Sequence, residues 1–210
     1  MPYTPPARDV LRAAISRDLH DSDNKVFATD EVNDLINMGI AELNRLAPVE
    51  YLDDIALVSD TFTYELDANV EEVVRVEVWR DDKYARSISS ISEQSNTGWE
   101  FFAHTLMLPT YLMLDPDEDS LKVWGYQVRD PLDDDDDVLD SDLDGENVIR
   151  SYCQFTCFQR LIASRALFQQ WQTQANNADV SATQLLGMAS VYAREWRDLR
   201  NRVRRLRRIG

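Results

Sequence analysis

The hydrophobic period changes twice along this chain. Apolar residues recur every three or four positions in residues 4–47 and again in 147–206, whereas they roughly alternate with polar residues between 51 and 128. The first spacing is typical of a helix packed on a core, and the second of a half-buried strand. The sequence therefore predicts an α+β fold, mainly an α-helical bundle with an inserted small antiparallel β domain and a long C-terminal helix.

These changes of period also divide the chain. We expect four segments: 1–49 as the N-terminal helices of the bundle, 50–129 as the inserted β domain, 130–146 as an acidic linker, and 147–210 as a C-terminal helical hairpin that completes the bundle and ends in arginines.

Two helices are predicted before Pro48. Thr4 is the expected N-cap of the first, with Pro5 and Pro6 in its first turn, and Thr29 is the expected N-cap of the second. The first stripe contains Val10, Leu11, Ala14, Ile15 and Leu19, and the second contains Val32, Leu35, Ile36, Ile40, Leu43 and Leu46. Pro48 should end the second helix.

The middle third reads as strands joined by polar turns. Alternation in Phe62, Tyr64 and Leu66, and again in Val74, Val76 and Val78, predicts two of them. Turns at 80–83 and 115–119 separate further strands, expected at 84–88, 111–114 and 121–128. Residues 89–98 are polar and irregular, and 99–102 are expected to pack back on the sheet.

Residues 130–146 hold ten acidic side chains and no basic one, including five consecutive aspartates at 133–137. Mutual repulsion at this density predicts a solvated linker. Within it, residues 140–145 (DSDLDG) match the start of an EF-hand calcium loop, but the twelfth position is Ser151 rather than the bidentate glutamate. We therefore expect at most a weak calcium site, and no calcium requirement for folding.

Two further helices are predicted after the linker. A long one at 147–172 places Cys153 and Cys157 on its buried stripe, where a structural role is favoured over a redox or metal role. Residues 181–184 (SATQ) fit a capping box that begins the last helix. Its stripe alternates steps of four and three, which is typical of a helix packed on a partner helix: Leu185, Ala189, Tyr192, Trp196, Leu199, Val203 and Leu206.

Charge is strongly separated between the end of that helix and the rest of the chain. Residues 194–208 carry eight arginines and two acids, whereas the other residues carry fourteen basic and 36 acidic side chains. Compensation of a helix dipole needs only two or three cations, so we predict that this end of the helix docks electrostatically on a partner surface. The expected contact residues are Trp196, Leu199, Arg200, Val203, Arg204, Arg205, Leu206 and Arg208. Removal of 199–210 is expected to spare the fold.

Several classes of function lack the residues they need. His20 and His104 have no neighbouring pattern of a nucleophilic triad, and the six glycines form no phosphate-binding loop, so no enzyme activity and no cofactor are predicted. No apolar run reaches the roughly 20 residues of a membrane span, and the chain start lacks a signal-peptide pattern. The net charge of −16 disfavours a DNA-coating protein.

The order of these segments resembles the head-to-tail connector (adaptor) proteins of tailed bacteriophages. The similarity comprises two N-terminal helices around residues 29–37 (TDEVNDLIN), Leu43 and Pro48, and then an inserted sheet. It continues through LMLDP at 112–116, a strand at 121–126, an acidic loop, a helix that begins near Glu146 and a final helix.

The resemblance implies a structural virion protein, made in the bacterial cytoplasm and located at the head–tail interface. Members form a ring, dodecameric in this family, between the portal and the tail or head-closure proteins, with no catalytic residues. DNA would pass through the ring without specific binding, and an acidic wall suits such a channel because it repels phosphate.

Two other classes of function remain open from the sequence. An acidic regulatory protein could mimic DNA and occupy a DNA-binding partner, although a mimic gains nothing from a basic terminus. A nucleic-acid-binding factor could instead use only the C-terminal arginines to contact phosphates. Only the adaptor requires a large closed ring, so the mass of the assembled protein separates these alternatives.

Overall fold

The computed structural model describes residues 3–81, 83–91 and 98–207, with side chains described as far as Val203. It confirms the α+β class: five α-helices and two antiparallel sheets lie in the described residues. Contacts divide the chain into two compact units, Met1–Ala47 with Asp130–Gly210, and Pro48–Arg129. The first unit holds all the helices and the second all the strands.

The helical unit has one hydrophobic core, to which all five helices contribute. The helices are α1 Arg8–Asp18, α2 Thr29–Leu46, α3 Leu143–Ala163, α4 Arg165–Gln174 and α5 Ala182–Arg207. The predicted stripe of α2 is fully buried, and Ala47 follows as its C-cap directly before Pro48. Among the described helices, none has the length and apolar content needed to cross a membrane.

Both predicted N-caps in this region are wrong. Helix α1 begins at Arg8 rather than near Thr4, because Pro6 and Ala7 are used elsewhere: the Pro6 carbonyl accepts Leu139 N–H, and Ala7 forms a β-bridge with Val138. Helix α2 begins at Thr29 itself, and its N-cap is Ala28, without a side-chain hydrogen bond. Val10 of the predicted first stripe is exposed, whereas Leu11, Ile15 and Leu19 are buried.

The acidic segment is folded against α1 rather than solvated along its length. Arg8 and Arg12 both donate to the Asp135 carboxylate, over 2.9 Å and 2.7 Å. Leu132 and Leu139 on either side of the aspartate run are buried in the helical core. The Asp137 carboxylate accepts the backbone N–H groups of residues 133 and 134. Repulsion within the run is therefore offset by two arginines more than 120 residues away in sequence.

We expect this ion pair to make stability depend on pH only in acid. Hydrogen bonds from Arg12 and Arg8 lower the pKa of Asp135 to about 2, below the value of about 3.9 in an unfolded chain. The stabilisation is therefore present above pH about 3.9 and is lost as the pH falls towards 2. Thermal melts of Asp135→Asn should show a lower melting temperature than wild type at pH 7, and the difference should shrink in acid. Asp136→Asn, an exposed neighbour, should follow wild type.

The helix predicted at 147–172 is two helices. Helix α3 begins four residues earlier, because the Asp142 carboxylate caps it by accepting Gly145 N–H over 2.8 Å. The chain then breaks at Ser164, whose backbone is extended and whose hydroxyl accepts Leu167 N–H as the N-cap of α4. The first turn of α3 thus lies inside the segment assigned to the linker.

Buried aromatic rings join α3, α4 and α5. Phe158 lies edge-on to Trp171, with ring centroids 6.2 Å apart, and stacks on Tyr192 at 4.7 Å. The Trp171 indole N–H donates to the Leu19 carbonyl over 2.9 Å. Cys153 and Cys157 are both buried free thiols, and burial raises the pKa of Cys157 to about 12. The predicted burial of both cysteines is confirmed.

The second unit contains two antiparallel sheets around their own core. The four-stranded sheet has the order β1-β7-β3-β4, with β1 Val49–Ala56, β3 Val70–Arg80, β4 Lys83–Ile88 and β7 Asp119–Gln127. The three-stranded sheet has the order β2-β6-β5, with β2 Thr63–Glu65, β5 Glu100–Phe102 and β6 Thr105–Met107. The pair Arg80 and Lys83 closes the predicted hairpin between β3 and β4.

Two details of the strand prediction are wrong. Residues 111–114 form no strand; Leu112 and Leu114 pack on the core from irregular backbone. In β3 a register shift near Val74 turns that side chain outward, whereas Val73 and Val76 are buried. The sequence also gave no sign of β6, which follows a turn where Ala103 and His104 have positive φ.

Candidate docking surface

The candidate surface is carried by α5, whose start is fixed by the predicted capping box. The Ser181 hydroxyl accepts Gln184 N–H over 3.3 Å, and the Gln184 side chain accepts Ser181 N–H over 2.8 Å. From this start the helical register turns Leu185 and Ala189 into the core, and Tyr192 and Leu199 are partly buried against it. As far as Val203, the apolar stripe predicted from the sequence faces this chain's own core.

The burial of Trp196 and Val203 changes the interpretation of the predicted contact residues. Trp196 is 8% exposed and lies edge-on to Tyr152 of α3, with ring centroids 5.5 Å apart. Val203 is only 5% exposed. Both were predicted to meet a partner, yet both pack within the helical unit. Removal of 199–210 would therefore take away core side chains, and the expectation that it spares the fold does not agree with this packing.

The arginines of α5 differ in how far their own chain engages them. Arg200 lies 3.9 Å from Glu42, and Arg202 lies 3.8 Å from Asp144 with 62% of its side chain exposed. Arg194 and Arg197 are exposed and form no ion pair with any residue whose side chain is described. These two are about one helical turn apart; Arg194 lies roughly opposite Trp196 around the helix, and Arg197 lies about 100° from it. We call Arg194 and Arg197 the basic stripe.

Several predicted contact residues cannot be placed. The side chains of Arg204, Arg205 and Leu206 lie outside the described residues, as does Arg208 altogether. In sequence, Arg204, Arg205 and Arg208 continue the spacing of Arg194 and Arg197. The predicted docking end, residues 194–208, contains both members of the basic stripe, but neither was among the expected contact residues, which began at Trp196. The recurrence of arginine at steps of three and seven was the signal that could have identified them.

Exposed carboxylates lie on α1 and α2 of the same unit. Asp9, Asp30 and Asp34 are all exposed. The pKa of Arg12 is raised mainly by Asp135, and the charges of Asp9 and Asp30 add to this effect. Asp9 and Asp30 are therefore near the Arg12 guanidinium. The helical unit thus has an acidic region at the N-terminal ends of α1 and α2 and a basic one on α5.

A polar groove of about 430 Å³ is lined by residues of α3 and α5. Its lining includes Arg150, Gln154, Glu195 and Arg202. Arg150 donates to Asp18 over 2.5 Å and to Glu146 over 3.4 Å, and Gln154 donates to the same Asp18 carboxylate. The charge of Arg150 in the groove is therefore balanced by carboxylates of the same chain. The unpaired cations among the described side chains of α5, Arg194 and Arg197, do not line the groove.

The residues of the calcium-like motif have structural roles. The Asp142 carboxylate already accepts Gly145 N–H as the N-cap of α3. A Cβ at Gly145 would lie 1.7 Å from Ser141 Oγ, so the close approach of Ser141 favours glycine at this position. In the described part of the chain, no three His, Cys, Asp or Glu side chains are grouped so as to hold a metal ion.

We expect calcium to leave the stability of the protein unchanged. Ser151 stands where a strong loop needs a bidentate carboxylate, so any affinity should be weak. Thermal melts with a chelator and with millimolar calcium should coincide. A large upward shift of the melting temperature with calcium would contradict this expectation, because binding to the native state stabilises it by mass action.

Comparison with known proteins identifies the family. The family model described as SU10 adaptor protein matches residues 6–208, nearly the whole chain, across both units. Comparison with individual curated proteins gives no match. The matched range includes the two N-terminal helices, the sheet-bearing insertion and the arginine-rich helix on which the resemblance to phage connectors was based. The chain belongs to the SU10 adaptor family of phage head–tail adaptor proteins.

Proposed function

We propose that this adaptor forms a closed ring, dodecameric as in related connectors, between the portal and the tail or head-closure proteins of the virion. The match of the adaptor family over residues 6–208 is the observation that carries this proposal. The helical unit, with its single core built from α1 to α5, supplies a bundle suited to the ring body. The long helix α5 is its portal-facing element.

The charge distribution supports a DNA channel. Net charge is −16, and the exposed carboxylates include Asp9, Asp30 and Asp34. Carboxylates that line a channel repel phosphate and let DNA pass without being held. DNA is therefore cargo for this ring and not a specific ligand.

The basic stripe supports attachment to the portal. Arg194 and Arg197 are exposed and unpaired among the described side chains, and guanidinium is the preferred donor to carboxylates. A rim of such cations is suited to steering and orienting an acidic partner surface. Because Trp196 and Val203 face inward, the docking contact is electrostatic, with Arg204, Arg205 and Arg208 continuing it in sequence.

Ring closure requires heterologous contacts, in which one face of a subunit meets a different face of the next. An isologous dimer would instead place the same face of each subunit against itself.

Imaging of the protein assembled on its portal, together with the mass of the isolated assembly, tests this proposal. We expect a closed ring coaxial with the portal and α5 at the portal side. An isologous dimer or a lone monomer in the assembled particle would overturn it. A discrete complex with a DNA-binding protein, without any ring, would favour the DNA-mimic alternative instead.

A further inference from the structure

The four-stranded sheet has two free edges among the described residues. Strand β1 pairs only with β7, and β4 pairs only with β3. An edge strand presents a row of backbone N–H and C=O groups that another strand can pair with. On β4 the free part ends before Ile88, whose carbonyl already accepts the Trp99 indole N–H over 2.9 Å.

These two edges carry opposite charge. Strand β1 contains Glu50, Asp53 and Asp54 and no basic residue. Strand β4 contains Lys83 and Arg86 and no acidic residue. Asp54 is paired with Lys122 of β7 at 3.2 Å, which leaves Glu50 and Asp53 as the carboxylates without an ion pair in the described part of the chain. Lys83 and Arg86 likewise form no ion pair there.

Strand direction allows the two edges to meet. Each neighbouring pair in the order β1-β7-β3-β4 is antiparallel, so β1 and β4 run in opposite directions. A second copy placed beside the first in the same orientation therefore brings its β4 antiparallel to β1. The sheet continues across the boundary without a break in the alternation of strand direction.

The strand register shows which residues of β1 and β4 lie on the same face of that continued sheet. Leu52 lies opposite Trp124 and Tyr84 lies opposite Trp79, on the same face of the sheet. Leu52 is 52% exposed and Tyr84 is 56% exposed, so each has apolar surface to bury. On the other face, the register gives Asp53 at one edge, and Lys83 and Arg86 at the other.

We infer that β1 of one subunit pairs with β4 of the next and that this strand addition is a head-to-tail contact of the ring. The inference rests on the proposed ring. Like charge along each edge disfavours β1 against β1 and β4 against β4, the two isologous pairings, whereas opposite charge favours β1 against β4. A contact between two different edges propagates from subunit to subunit and closes when the rotation allows it.

Crosslinking of Ala56→Cys/Tyr84→Cys in the full-length chain tests the contact, because the register places Tyr84 in one row with Trp79, Ser120 and the exposed Ala56. The native thiols are buried, so the two new cysteines are the reactive ones among the described residues. Within one subunit they are three strand spacings apart, roughly 14 Å, beyond a short bismaleimide. On rings assembled with the portal, this reagent should give a ladder of covalent multimers. An equimolar mixture of the two single variants should stop at dimers, because each chain then has one thiol.

The outcomes separate this inference from the ring proposal. A ring without a ladder overturns the strand pairing and leaves the proposed function intact, whereas particles without any ring overturn both. Lys83→Glu/Arg86→Glu supplies a second test that requires no crosslinker. It should reduce the assembled fraction at least severalfold, and addition of Glu50→Lys/Asp53→Lys in the same chain should restore it. A ring unaffected by the first pair of changes would also overturn the inference.

Discussion

Arg194→Glu/Arg197→Glu should reduce attachment to the portal about tenfold or more while leaving the protein folded. Both side chains are exposed and form no ion pair among the described side chains. Reversal of two rim charges converts attraction to an acidic partner surface into repulsion, whereas surface substitutions usually change the free energy of unfolding by less than about 0.5 kcal/mol. Cosedimentation with the portal and a thermal melt measure the two effects separately.

A matched control carries the same change of net charge on the same unit. Arg17 of α1 and Arg165 of α4 are also exposed and unpaired among the described residues, and Arg17→Glu/Arg165→Glu should attach as wild type does. Attachment of the wild type should also weaken as salt rises, since exposed charges are screened over about 10 Å at 0.1 M. Equal loss of attachment in both variants would indicate a general charge effect and would remove the specific role of the basic stripe.

Arg204→Glu, Arg205→Glu and Arg208→Glu should act in the same direction, because these positions continue the spacing of the stripe in sequence. Arg200→Glu is a less specific probe, since Arg200 lies 3.9 Å from Glu42 and a glutamate there would face a like charge within the chain. Truncation at residue 199 is less specific still, because it removes the buried Val203.

Hydrophobic periodicity predicted the helical core well because a helix packed on a core buries the residues of one face, and these recur every three or four positions. The stripe of α2 from Val32 to Leu46 is buried as expected, and so are Leu185 and Ala189 of α5. Periodicity does not show where one helix ends and the chain turns into the next. Phe168 and Trp171 continue the stripe of α3, yet Ser164 breaks the helix and α4 returns both rings to the same core.

Charge counting misjudged the aspartate run because it considers only neighbours in sequence. Arg8 and Arg12 meet Asp135 across more than 120 residues, and the run folds as a result. The same contact explains the late start of α1, since the segment that follows the run engages Pro6 and Ala7 before the helix begins. A single sequence contains no sign of this pairing.

The docking role of α5 stays a prediction, but part of the apolar seam that was assigned to a partner is buried in this chain's own core. The seam through Leu199 and Val203 was assigned to a partner because the arginines crowd around it. The structure buries Val203, and it places Trp196 edge-on to Tyr152, so α3 is a partner of this stripe within the same chain. Which of two possible partner helices a heptad stripe meets is set by tertiary packing, and sequence spacing alone does not distinguish them.

Trp171→Ala should be the most destabilising single substitution proposed for this chain, at about 3–5 kcal/mol. Trp171 has no exposed surface, and its ring contacts Phe158 and Phe168 at centroid distances of 6.2 Å. The change opens a large cavity where α4 meets α3, and it leaves the Leu19 carbonyl without its indole donor. The melting temperature should fall by about 6–20 °C for a chain of this size.

Two control substitutions separate the cavity from the lost hydrogen bond and from general effects of removing a ring. Trp171→Phe retains part of the ring volume but loses the indole donor, so it should destabilise the protein less than alanine does. Phe102→Ala removes a ring that is 70% exposed and should change stability by less than about 0.5 kcal/mol. Because α4 leads into α5, loss of Trp171 should also weaken portal attachment, even though the basic stripe is unchanged. Attachment that stays at the wild-type level while the melting temperature falls would show that α5 is positioned independently of α4.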